Sequence, residues 1–199
     1  MDLQLARTAR LNKFDEQRQA RDRDLKNKRT ALQLWRVANG GVFAFFILAN
    51  YLMRQQITPW PPAGVERISA TIPLIISLAL LLSSWTALRA QRSIRVDNAK
   101  GLRGFTLMTL ALGVVFLAGM ALVWRTTPMT GPYSAIFFTM TGFHALHVLA
   151  GMIIFGYVYS KSQRGAYSAE NYWGVEAAVV FWHFVDVMWL LYFVVLFVF

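Results

Sequence analysis

The sequence contains no cysteine, which at once excludes disulfides, iron–sulfur clusters, thiolate-bound copper and thiol catalysis. Charge is scarce too. Only 15% of residues are charged and 56% are hydrophobic, an apolar content above that of an ordinary globular domain. The charge that exists is segregated. Of 20 Lys and Arg residues, ten lie between Arg7 and Arg36, at or before the edge of the first apolar run. A formal charge of +10 clustered beside apolar segments, rather than spread over a folded face, argues against nucleic acid as a partner.

What remains is mostly membrane-spanning sequence. A span takes about 20 largely apolar residues, and five stretches qualify: about 35–53, 68–88, 105–124, 134–159 and 175–199. The expected fold class is therefore all-α, an integral membrane bundle of five transmembrane helices. Two parts are expected: a charged cytoplasmic tail over 1–34, helical, and a five-span membrane domain over 35–199. Asp15, Glu16, Asp22 and Asp24 interrupt the basic run of the tail, and no apolar stretch precedes residue 37, so neither a cleavable signal nor a transit peptide is expected. The connections are short. Pro59, Pro61 and Pro62 forbid helix between the first two spans, and Pro128, Gly131 and Pro132 mark the turn before the fourth.

Basic residues in alternate loops set the expected orientation. The tail, the second loop (Arg89, Arg92, Arg95, Lys100, Arg103) and the fourth loop (Lys161, Arg164) lie on one side, and only Arg54, Arg67 and Arg125 on the other. The N-terminus is expected inside and the C-terminus outside. Arg89, Arg92, Arg95 and Arg103 form an inner cluster to which anionic lipid headgroups would be drawn.

Ionisable groups at membrane depth are costly, so each calls for an explanation. Here they are His144, His147, Glu176, His183 and Asp186, all in the last two spans. Spacing puts His144 with His147 on one helix face and His183 with Asp186 on another, and a short loop favours antiparallel packing of the two spans. His147 is then expected to meet His183 or Asp186. Three readings fit such a cluster: interhelical polar glue, a proton-conducting group, or a metal site, although no short ligand signature organises a metal. A free-standing transporter or proton channel is the reading from a different class, but no inverted repeat is visible.

Two segments, FFTMTGFHALHVLAG at 137–151 and YWGVEAAVVFWHFVDVMWLL at 172–191, closely resemble the last two spans of subunit III of haem–copper cytochrome oxidases. WPPAG at 60–64 resembles a loop that follows an earlier span of that family. The resemblance is dense from Tyr133 onward and thinner before it, and it fits a short, five-span bacterial form lacking two initial helices. It implies a non-redox accessory subunit of a terminal oxidase, or of the related quinol oxidases and nitric-oxide reductases, in the inner membrane. It would support assembly, lipid binding and proton uptake of the catalytic subunit I. No cofactor is expected in this chain, and haem and copper are expected in partner subunits. The arithmetic agrees, since two haems and a copper need about six imidazole ligands and three are present. One departure weakens the proton role: Gly41 stands where the family often carries a carboxylate, and 117–124 holds no acid.

Overall fold

The structure, a computed structural model, describes residues 2–198. Five helices account for nearly all of them: α1 (Asp2–Gln56), α2 (Thr71–Ile94), α3 (Ala99–Thr126), α4 (Gly131–Gln163) and α5 (Trp173–Phe193), the last continuing into a π-helical turn, Val194–Val198. Each of the five contains a stretch long and apolar enough to cross a membrane, so the chain is a multi-pass membrane protein. The helices overrun the apolar stretches. α4 has 33 residues and is about 50 Å long at 1.5 Å per residue, against a hydrocarbon core of about 30 Å. Hydropathy marks the part of a helix that lies in lipid and is blind to the turns beyond it. The last span is also not one uniform α-helix to its end, because the wider π turn takes over at Val194.

The chain divides into two compact units, Met1–Asn39 and Gly40–Phe199. In the first, the helix is covered with exposed charge and supported by side-chain pairs one turn apart, such as Lys28 Nζ to Asp24 Oδ2 at 2.6 Å. The second is the helix bundle. There α2 packs on α3, α3 on α4, α4 on α5, and α5 closes back on α2.

Small and hydroxylic residues set these contacts. A β-carbon on Gly119 of α3 would overlap the Ile76 side chain of α2, so the two helices approach at a distance only glycine permits. Nearby, Thr86 Oγ1 of α2 and Thr109 Oγ1 of α3 lie 2.7 Å apart. Trp124 Nε1 of α3 donates to Thr141 Oγ1 of α4 at 2.9 Å. Local chemistry fixes the turns. Asn98 caps α3, its side-chain oxygen accepting from Gly101 N at 2.8 Å. Asp97 before it takes the left-handed conformation, φ 55°, and its carboxylate accepts from Ala169 N at 2.6 Å, tying the α2–α3 loop to the α4–α5 loop.

Candidate functional site

The intramembrane polar residues separate into two groups. His183 and Asp186, one turn apart on α5, turn to α2. Ser84 Oγ donates its proton to Asp186 Oδ2 and lies 3.1 Å from His183 Nδ1. Ser84 thus bridges the two side chains of α5 through one hydroxyl. Asp186 is 4% exposed and its other oxygen, Oδ1, has no hydrogen-bond partner among the described residues. The expected contact of His147 with His183 or Asp186 is not made, because those two side chains take Ser84 of α2 instead.

His144 and His147 of α4 lie in an aromatic shell. His144 is fully buried, its ring 5.0 Å from Trp189 of α5 and 5.5 Å from Phe116 of α3. Neither of its nitrogens has a hydrogen-bond partner among the described residues. His147 is partly buried, its Nδ1 2.9 Å from the Phe143 carbonyl of its own helix. Phe43 of α1, itself 0% exposed, touches both imidazoles as well as Phe143, Phe184 and Tyr192. Glu176 joins neither group by depth. It sits in the first turn of α5, about 5 Å along the axis from the helix start, where His183 is about 15 Å in.

The residues that organise the α2–α5 contact are ones the sequence reading passed over. Trp182 Nε1 donates to Ser83 Oγ at 2.9 Å, and Trp189 Nε1 donates to Ser77 Oγ at 2.7 Å. Part of the signal was present: Trp182 and Trp189 are seven apart on α5, which brings them back to nearly one helix face. Serine inside an apolar helix attracts little notice because it can bond its own backbone.

The basic loops lie at the other ends of these helices. Arg89 stacks on Trp85, 5.0 Å from the ring centroid, and Arg95 on Tyr172 at 5.6 Å. Arg103 Nη1 donates to Gln163 Oε1 at 3.2 Å, joining the start of α3 to the end of α4. Arg92 is exposed. Among the described residues no group of three or more His, Cys, Asp or Glu could hold a metal ion.

Residues 40–199, from the apolar part of α1 through α5, match the sequence pattern of the family described as cytochrome c oxidase subunit III. The chain belongs to that family. Among its curated relatives, the cytochrome c oxidase subunit 3 of Synechocystis sp. is 33% identical over 168 residues, which cover 82% of this chain and 72% of the relative. That of Thermostichus vulcanus is 35% identical over 163 residues, covering 80% and 79%. The subunit 3 of the seal Halichoerus grypus is 33% identical over 178 residues, covering 85% and 68%. As a subunit III the chain is a non-catalytic accessory component of a haem–copper oxidase.

Proposed function

We propose that this subunit III docks through its helices on the catalytic subunit I of a cytochrome c oxidase in the inner membrane of a bacterium. There it stabilises the assembled enzyme and holds anionic phospholipid against its basic loops. Haem and copper belong to the partner subunits. The observation that carries this reading is the use made of the buried polar groups: His183 and Asp186 are tied to Ser84, where they fix the register of α5 on α2. The second loop, the fourth loop and the charged segment 1–34 face the cytoplasm in this reading, because 17 of the 20 Lys and Arg residues lie on that side.

Lipid binding is favoured by the same charge. Each Lys or Arg near an anionic surface contributes about 1 kcal/mol, and Arg89, Arg92 and Arg95 are exposed together around the end of α2. A leading role in proton uptake has less support, since Gly41 replaces an acid in α1.

The test is to purify the oxidase through a tag on this chain and compare wild type with His183→Ala. The variant is expected to recover less of the haem-containing partner while the spectrum of the haem that is recovered stays the same. A changed haem spectrum in a fully retained complex would place His183 in the redox machinery and overturn the accessory reading.

A further inference from the structure

Residues 1–39, the unit that precedes the bundle, lie outside the stretch that matches the family, and their helix carries an order of its own. Three tetrads recur eleven residues apart: Arg7-Thr8-Ala9-Arg10, Arg18-Gln19-Ala20-Arg21 and Arg29-Thr30-Ala31-Leu32. Seven residues after each leading arginine stand Phe14, Leu25 and Arg36. Eleven residues make about three turns of an α-helix, so each position of the repeat returns to within about 20° of its own line along the axis. The segment is helical from Asp2 onward, and the repeat therefore draws a stripe.

The stripe is strongly one-signed. A face about 100° wide takes in the five arginines at the first and fourth positions of the repeat, together with Lys28 and Arg36. Those are seven of the ten basic residues of the unit, and none of its five acids, Asp2, Asp15, Glu16, Asp22 and Asp24, falls among them. That face is about a third of the helix surface, so an even scatter would put about three cations and one or two acids there. Large apolar side chains lie on it too. Leu11 is 56% and Phe14 63% exposed, and Leu25 is half-buried on the same line.

The composition of the face selects what would cover it. Six of its seven cations are arginine, whose planar fork meets a carboxylate or a phosphate with two hydrogen bonds. A second copy of the chain is disfavoured by charge, because two such stripes repel. A lipid surface fits poorly. A helix lying in the membrane interface keeps its apolar side chains on one face and its cations on another. Here Arg18 stands between Phe14 and Leu25, and sinking those side chains among acyl chains would take the guanidinium with them. Arginine interleaved with exposed aromatic and aliphatic side chains is the composition of a protein–protein contact.

We propose that the basic stripe over 7–36 is a docking surface for a protein partner that presents an α-helix with one acidic face. Its carboxylates meet the arginines and its apolar residues cover Phe14 and Leu25. Arg7, Arg18 and Arg29 stand about 16 Å apart along the axis, so the partner's acids recur at the same interval, eleven residues on a helix. The proposal uses only the helix of the first unit and does not depend on which oxidase the bundle serves.

The full chain is produced in its own membranes with the photo-crosslinker benzoylphenylalanine at Leu25, within the stripe, or at Asn27, on the far side of the helix. Irradiation is expected to give a protein adduct from position 25 and about tenfold less from position 27. Raising the ionic strength from about 0.05 M to about 0.5 M beforehand should lower the yield about tenfold, because exposed charges are then screened over a few ångströms. The triple variant Arg7→Glu, Arg18→Glu, Arg29→Glu keeps good helix formers at all three sites and should lose the adduct to the same extent. The adducted peptide is then sequenced. It is expected to carry Asp or Glu along one helical face, and exchanging three of those acids for Lys should restore the adduct with the triple variant. An adduct to phospholipid alone, an adduct abolished by nuclease, or a partner peptide without an acidic face overturns the proposal. So does equal labelling from positions 25 and 27, or no labelling from either.

Discussion

Trp182 lies over Gly151 so closely that a β-carbon on the glycine would stand 2.7 Å from the indole Cε3. The same ring bonds Ser83 of α2 and meets Phe155 of α4 edge-on, centroids 5.5 Å apart. Gly151→Ala therefore inserts a methyl group where there is no room, on a large side chain that is held from two sides. It is expected to destabilise the bundle by about 1–3 kcal/mol, the usual cost of overpacking. Gly156→Ala, with nothing within 4 Å of the added carbon, is the matched control and should be near neutral. The thermal midpoint for release of this chain from the purified oxidase reads both.

Ser84→Ala removes the hydroxyl that serves both Asp186 and His183. The buried carboxyl then has no partner on either oxygen, which costs about 1–3 kcal/mol. Removing both ends is expected to cost less than removing one, so Ser84→Ala/Asp186→Leu should recover part of the loss. The same midpoint checks it. If the double variant is less stable than Ser84→Ala alone, the serine is not the main support of Asp186.

The histidines should respond differently to the same chemistry. Among the described residues His144 bonds nothing through its nitrogens and is packed by Trp189, Phe116 and Phe43, so His144→Phe preserves what the ring does and is expected to stay within about 1 kcal/mol of wild type. His183→Phe deletes a polar partner of Ser84 and should destabilise more. A His144→Phe protein that fails to assemble would show that this imidazole has a polar partner in the whole complex.

In the α2–α3 loop, Asp97 combines a left-handed backbone with a carboxylate held by Ala169 N. Asp97→Gly retains the backbone geometry and loses the tie. Asp97→Val loses both and adds strain of about 1–3 kcal/mol. The expected order of stability is wild type, then Gly, then Val, and protease nicking of the 164–172 loop should follow the reverse order.

How far the sequence reached depends on the kind of information each feature needs. Five spans were legible because apolar length is a property of one segment at a time. The pairing of His183 with Asp186 on one face was legible for the same reason, helical spacing being local. Which neighbour that face meets was not. α5 touches both α4 and α2, and its rotation about its own axis decides whether Asp186 finds His147 or Ser84. Rotation follows from the packing of Trp182 and Trp189 against glycines and serines on other helices, which no single segment records.

Ser77 and Ser83 each direct their only proton to a carbonyl of their own helix, Pro73 and Leu80, and offer α5 nothing but a lone pair. Trp182 lies 99 residues beyond Ser83 in the chain, about 5–20 s of translation. Through that interval α2 can sit in lipid with neither hydroxyl proton bare. When the last segment leaves the translocon, its two indoles meet acceptors already aimed and waiting. A threonine-for-serine exchange would preserve this order of events, whereas asparagine at either position would expose amide protons to lipid until its mate arrived.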